Sequence, residues 1–414
     1  AVVDFHANSV HESTIEATVN DILREWRALW PGGLEEREYS TLNLVAQCRS
    51  GGLGFNHATC QGCQHKEWYA SSCGDRHCPQ CLGARQLDWS DRVCQRLPDC
   101  PHFHVVFTLP DGVHDFFEAN YRVAADVLFQ AAAATLKKFQ ANNWKMEGGF
   151  LAVLHTWGQR LNWHPHLHVL VSSGGMATGT GRWKQARRHY LFPVKAMSRV
   201  FRGEMLRRIE ELDADRGVKW PEDLESVEER REWRVRLARK SWNIFSRPTL
   251  GNTRAVVRYL ARYTSRIAMS NRRLTGVDRE ARTVSFEWKD YRDGGRIKET
   301  SLGIAAFLKR FSMHLVPKGL RRVRYYGLLA KPRGSAYEIA GGPGRSISEE
   351  SAQRPAHVCS HCQGENWVYV ASFSAASDAS LVDHLFDLSA CSTTRCRSMM
   401  ERISLGAPRD GPRR

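Results

Sequence analysis

The stretch "LNWHPHLHVLV" (161–171) sets histidines at 164, 166 and 168, every second position, at the mouth of an apolar run. On an extended strand, side chains at i and i+2 point to one face about 6.6 Å apart. His166 and His168 can therefore converge on one cation while Leu167 and Val169 turn into a core. His164 lies about 13 Å from His168 along such a strand, precedes Pro165 and falls at the loop end. A third imidazole is expected from the neighbouring strand. His155 closes "FLAVLHTW" (150–157), the partner segment of the same hairpin, and is the natural candidate; His104 in "HFHVVF" is the alternative. A lone strand histidine is ordinarily a hydrogen-bonded core residue. A His-hydrophobe-His strand with a third histidine in its hairpin partner favours a metal ion. An all-imidazole site suits zinc for hydrolysis. It equally suits a divalent ion that polarises a phosphodiester whose oxygens complete the shell.

A second group of reactive types lies at 254–268, "RAVVRYLARYTSRIA". Tyr259 and Tyr263 are four apart and share a helix face. Arg254, Arg258, Arg262 and Arg266 keep the same spacing and form a stripe about 100° round the helix. A tyrosine hydroxyl is a covalent nucleophile for phosphoryl groups when nearby groups stabilise its charge, and arginines at helical spacing hold successive phosphates. Taken alone, the segment reads as two half-buried core tyrosines beside a solvated cationic face. Beside a histidine pair, in a basic chain, the reactive reading prevails.

The third group is thiol. Cys60-x2-Cys63, fourteen residues, then Cys78-x2-Cys81 is a two-knuckle zinc spacing. Cys48, His57, His65, Cys73 and His77 are spare candidates, and a second ion is possible. The bland role for such a module is a staple for a core-poor segment. A later pair, Cys359-x2-Cys362, is expected to join Cys391 and Cys396 in a further zinc site, with His357 or His361 as substitutes. Cys94 and Cys100 fit no ligand pattern.

These residues need elements to hold them. Ile15, Val19, Ile22, Leu23 and Trp26 recur at helical spacing over 14–47, broken by "WPGG" at 30–33. Strands are expected within 101–110, at 150–157, 166–173 and 283–292, and from 296. Helices are expected at 113–141, 254–268 and 301–316, with a charged helical insertion at 199–245. Hairpins interleaved with helices give an α+β fold with an antiparallel sheet and flanking helices. The divisions are 1–100, helical and zinc-binding; 101–330, catalytic; and 331–414, a Gly/Pro/Ser-rich linker and tail. Lys and Arg number 60 against 44 Asp and Glu, a net charge of +16 that points first to nucleic acid. No apolar run nears the roughly 18 residues of a bilayer span, and the first residues show no secretory pattern. With clustered cysteines this reads as a reducing, intracellular setting.

The order "HVVFTLP" (104–110), "HPHLHVLV" (164–171) and "YLARYTSRIAMSNRRL" (259–274) resembles the three motifs of rolling-circle transposases of the IS91 type, within the His-hydrophobe-His (HUH) endonuclease superfamily. "AVLHTWGQRLNWHPHLH", "FEWKDYRDGGR", "RVRYYGLLA" and the block ending "SCGDRHCPQC" resemble the same family, so the likeness runs over roughly 45–330. It implies a histidine-bearing antiparallel sheet with the tyrosine helix beside it. It makes His166 and His168 ligands of Mg2+ or Mn2+ and Tyr259 and Tyr263 the nucleophiles; His155 rests on hairpin geometry. The implied chemistry is cleavage and rejoining of single-stranded DNA at transposon ends through a 5′-phosphotyrosine link and a free 3′-OH. The implied role of the zinc block is recognition of terminal DNA, and Trp163, Trp183 and Trp288 are candidates for base stacking. A replication initiator or relaxase shares this chemistry, but the cysteine block upstream of "VVFTLP" favours the transposase. A non-catalytic zinc-dependent DNA-binding protein needs neither the histidine pair nor two tyrosines. A three-histidine zinc hydrolase lacks an evident carboxylate base.

Overall fold

The structure is a computed structural model that describes residues 17–81, 83–98, 100–186, 191–214, 217–249, 254, 256–258, 260–261, 268–330 and 358–373. The chain opens with two short helices, α1 (Val19–Glu25) and α2 (Glu36–Ala46), each with a capping box at its start. "WPGG" separates them, as its turn chemistry requires. Between them and helix α3 (Gly83–Cys94) lies a small hairpin, β1 (Phe55–Cys60) and β2 (Lys66–Ala70).

The site is built on the central sheet. Its strands run in the order β11 (Val323–Gly327), β4 (Met146–Trp157), β5 (Trp163–Ala177), β3 (His102–Thr108), β7 (Ile244–Pro248), with β6 (Trp183–Gln185) paired to β5. Every pairing is antiparallel. The β4–β5 hairpin is longer than its apolar core suggests, and its turn is only the five residues between Trp157 and Trp163. The two sheet faces differ sharply. Phe103, Val105, Phe107, Phe150, Ala152, Leu154, Leu167, Val169 and Val171 face the main core. Each fully buried side chain of this size stabilises the fold by about 1.5–3 kcal/mol.

Helix α5 (Tyr121–Phe139) covers that face. Its alanines, Ala124, Ala125, Ala131, Ala132 and Ala133, are buried and let the helix lie close. The single helix expected at 113–141 is divided at Asn120 into α4 (His114–Ala119) and α5. There the Asn120 amide donates to the Phe116 and Lys219 carbonyls and accepts the Lys219 N–H, which ties the junction to a distant loop. The charged insertion supplies α6 (Val194–Glu211) and α7 (Val227–Arg239), and α6 packs on α5. A second sheet, β8 (Leu274–Asp278), β9 (Thr283–Asp290) and β10 (Arg296–Gly303), packs Val284 and Phe286 against Phe307 and Phe311 of α8 (Ile304–Ser312). Strand β12 (Trp367–Phe373) returns to the N-terminal hairpin and completes a third sheet in the order β12-β1-β2. β1, β2, β6, β7, β8, β11 and β12 fall outside the strands expected from the sequence. No helix among the described residues is long and apolar enough to cross a membrane.

Gly327 ends β11 with φ +56°, and a Cβ there would run into the Gly148 carbonyl oxygen. Gly203, within α6, has nothing within 4 Å of that position. Gly327→Ala should therefore destabilise the protein by about 1 kcal/mol or more, whereas Gly203→Ala should stabilise it by about 0.5–1 kcal/mol. Urea unfolding midpoints check both signs.

Candidate metal centre and cysteine clusters

The β4–β5 register sets His155 opposite His166 and Val153 opposite His168. Strand β3 sets Val106 opposite His168 and His104 opposite Leu170. The period-two rule then leaves His104, His155, His166 and His168 all on the face away from the main core. The structure brings His155, His166 and His168 together, with one ring nitrogen of each within 4.8 Å of the others. His155 and His168 are buried, and His166 is half-buried beside them.

Hydrogen bonds define which nitrogen each ring presents. His166 Nδ1–H donates to the His164 carbonyl at 2.7 Å, which leaves the Nε2 lone pair free to bind. His166 Nε2 and His168 Nε2 face each other at 3.1 Å. His104 Nε2 lies 2.8 Å from His168 Nδ1, with the rings stacked. In the tautomer in which His168 Nδ1–H donates to His104, the His168 Nε2 lone pair is directed towards His155 and His166. His104, weighed above as a third ligand, thus sits behind His168 as an orienting partner. Burial holds all four imidazoles below the ordinary histidine range, His166 to about 3 and His104 to about 4, so they are neutral and able to bind a cation at pH 7. Arg322, itself buried, adds positive charge near His155 and is pushed down to about 10 by burial. Among the described residues the group contains no carboxylate.

The described helical residues Val257, Leu260 and Ala261 are buried. Val257 and Leu260 pack with Leu151, Val153 and Leu170, which lie on the histidine face. Val93, Cys94 and Leu97, at and after the end of α3, pack in the same cluster, and Arg254 pairs with Asp91 at 3.4 Å. Arg258 is exposed. Tyr259, Tyr263, Arg262 and Arg266 lie outside the described residues. Of the three tryptophans, Trp163 is a packing residue: its indole N–H donates to the His114 carbonyl and its ring meets Phe117 and Tyr121. Trp183 lies close against Gly174, and Trp288 lies under the Arg160 guanidinium.

The cysteines depart from the expected set. Cys60 and Cys63 do not meet Cys78 and Cys81. The structure instead forms two groups, Cys48 with Cys73, Cys78 and Cys81, and Cys60 with Cys63, Cys359 and Cys362. The reason is the β1–β2 hairpin. Cys60 and Cys63 are at its tip, while Cys73 follows its base, where Arg49 N–H donates to the Ser71 carbonyl. Five strand residues, about 17 Å, separate the two ends. The sulfurs of Cys48 and Cys81 are 3.2 Å apart and those of Cys73 and Cys81 3.5 Å, a compact set that fits a tetrahedral thiolate site. Hydrogen bonds among the four thiols hold Cys78 and Cys81 below the usual range and push Cys48 and Cys73 above it. Cys391 and Cys396, expected with Cys359 and Cys362, lie outside the described residues, as does His357. His57 stacks on Trp68 and His361 on His65. His77 joins the first cluster's loop to the segment after α8: its Nδ1–H donates to Asp75 and its Nε2 accepts from Val316 N–H at 3.0 Å.

Comparison with known proteins decides the family. Residues 149–336 match the family model described as "Putative transposase", and residues 18–109 match "Transposase zinc-binding domain" of the IS91 type. "Putative transposase y4qJ" of Sinorhizobium fredii is 35% identical over 319 residues, covering 75% of this chain and 80% of that one. "Transposase for insertion sequence element IS801" of Pseudomonas savastanoi pv. phaseolicola is 33% identical over 311 residues, 72% of each chain. This chain belongs to the IS91 family of transposases. Transposases of this kind are DNA-processing enzymes, and the basic charge fits such a partner. The zinc-binding match covers both the Cys48 cluster and the Cys60–Cys63 knuckle; the histidine pair falls in the transposase match. His104 and the Cys359 pairing were the residues hardest to place from sequence, since each acts across strands distant in the chain.

His104→Ala should weaken Mn2+ binding about 10–100-fold, read by calorimetry on zinc-loaded protein. His164→Ala should leave the affinity unchanged, because only its backbone carbonyl is used. Equal affinity for His104→Ala and the parent would remove the orienting role.

Proposed function

We propose that this transposase cleaves and rejoins single-stranded DNA at the ends of its element, with Tyr259 and Tyr263 as nucleophiles and His155, His166 and His168 as ligands of a catalytic Mg2+ or Mn2+. The observation that carries this is the three-imidazole cluster on the sheet face where Val257 and Leu260 also pack. Those residues belong to the same segment of sequence as the two tyrosines.

The donor set fits the ion: three neutral nitrogens on a rigid hairpin. A divalent ion bound there would draw charge from the non-bridging oxygens of the scissile phosphate. His104 and the His164 carbonyl keep the His168 and His166 rings in their ligating tautomers. Arg258, exposed, is suited to hold an adjacent phosphate, and Arg254, Arg262 and Arg266 extend that stripe in the sequence. A tyrosine oxygen attacks phosphorus, a 5′-phosphotyrosine bond forms, and the 3′ oxygen leaves and takes up a proton. The phosphodiester energy is retained in the new link, so rejoining needs no nucleotide cofactor. A second tyrosine permits a second cleavage before the first link is resolved, which is what rolling-circle transfer of one strand requires. Cys48, Cys73, Cys78 and Cys81 would hold zinc as a staple at the base of the hairpin, next to the start of α3.

Each single variant, Tyr259→Phe or Tyr263→Phe, should still form some covalent adduct with a labelled single-stranded end yet fail in complete transposition. The double variant should bind the same DNA and form no adduct, and so should His166→Ala/His168→Ala. Phenylalanine keeps the ring and deletes only the attacking oxygen. If Tyr263→Phe alone abolishes every adduct while Tyr259→Phe transposes normally, a one-tyrosine scheme replaces this one.

A further inference from the structure

The second cysteine group unites residues from the two ends of the described chain. Cys60 and Cys362 are 302 positions apart in sequence with sulfurs at 3.6 Å, and Cys63 and Cys359 are 296 apart with sulfurs at 3.7 Å. We propose that Cys60, Cys63, Cys359 and Cys362 bind a zinc ion of their own, separate from the Cys48 cluster, which closes a zinc ribbon between the N-terminal hairpin and the returning strand β12.

The geometry supports this at three levels. The first is the sulfur set. Zinc–sulfur bonds of about 2.3 Å give tetrahedral sulfur–sulfur edges of about 3.8 Å, which the two measured separations match. The same separations are far beyond the roughly 2.05 Å of a disulfide. Four thiols without a carboxylate select zinc over magnesium or calcium, and a full set of protein ligands marks a closed, structural site.

The second is the backbone. The two knuckles are built alike, although they arise from unrelated parts of the chain. Gln64 N–H donates to the Cys60 carbonyl at 2.9 Å, and Gln363 N–H to the Cys359 carbonyl at 2.9 Å. Cys60 N–H donates to the His65 carbonyl and Cys359 N–H to the Gly364 carbonyl, both at 2.8 Å. Gln64 and Gln363 both take left-handed φ, 61° and 59°, where a side chain is disfavoured. The backbone N–H groups of Gly62 and Cys63 donate to the Cys60 sulfur. Gly62 of one knuckle lies against the other: a Cβ there would be 3.5 Å from Cys362 Sγ.

The third is the sheet itself. Strand β12 pairs with β1 from Phe55–Phe373 to Cys60–Trp367. Beyond the His57–Trp68 stack and the Trp68–Phe373 contact its apolar support is thin, and Val368, Tyr369 and Val370 stay exposed. Three short strands with so small a core are the kind of unit that a metal stabilises.

Metal analysis of the full chain, purified without chelator, tests the assignment. At least two zinc ions per chain are expected. Cys359→Ser/Cys362→Ser should lower the parent's zinc content by one, and Cys391→Ser/Cys396→Ser should leave it unchanged. A parent chain with one zinc, or a Cys359→Ser/Cys362→Ser variant that keeps the parent's full zinc content, overturns the proposal. Alkylation of the unmodified chain removes any dependence on variants that fold poorly. In zinc-loaded protein, Cys60, Cys63, Cys359 and Cys362 should resist labelling and become labelled together on chelation. Labelling of Cys359 and Cys362 at the rate of free thiols, while Cys48, Cys73, Cys78 and Cys81 stay protected, also overturns it.

Discussion

The register of the β4–β5 hairpin is the constraint on which the rest of the candidate centre depends. Because strand side chains alternate, the pairing of His155 with His166 puts three imidazoles on one face and Leu154, Leu167 and Val169 on the other. A slip of one residue would exchange the two sets, burying histidines against α5 and exposing the core. The cost of that exchange fixes the register, so core packing and ligand placement are enforced by the same residues. The short turn, in which Gly158 N–H donates to the Asn162 carbonyl, leaves the hairpin little freedom to shift.

The cysteine-rich part is structurally continuous with this centre. Cys78 and Cys81 immediately precede α3, and residues at and beyond the end of α3 pack on the histidine face beside Val257 and Leu260. His77, between two cysteines of the first cluster, accepts the Val316 N–H just beyond α8. Asn20 of α1 donates to Cys78 Sγ and to the Val45 carbonyl, and Arg279 of the second sheet's β8–β9 turn pairs with Glu25. A thiolate cluster at this junction therefore bears on the position of the helical residues opposite the imidazoles as well as on the hairpin it staples.

Much of this was legible in the sequence where periodicity and local chemistry agree. The His-Leu-His strand, its hairpin partner and the Ala-rich helix all follow from period-two or helical patterning, and the α+β class follows from their interleaving. The cysteines were harder because knuckle spacing identifies pairs but carries no information on which pairs meet. The β1–β2 hairpin, which carries Cys63 at its tip and leaves Cys73 beyond its base, decides that, and β1 and β2 are short, partly exposed strands with weak alternation. The partner of Cys60 lies some 300 residues away in sequence, beyond reach of any local rule. His104 was placed near the site by its strand, yet its role behind His168 depends on the diagonal offset across β3 and β5. Asn120 divides a strongly helical stretch through contacts to residue 219, a tertiary effect that propensity does not contain.

The central claim is that His155, His166 and His168 form one cation site on the sheet face beside the tyrosine-bearing segment. Pulsed electron paramagnetic resonance of Mn2+ added to the zinc-loaded chain tests it most directly, because it counts nitrogen nuclei bonded to the ion. The account predicts couplings from three imidazole nitrogens, falling to one in His166→Ala/His168→Ala. Bound Mn2+ that shows water protons and no nitrogen coupling would contradict it.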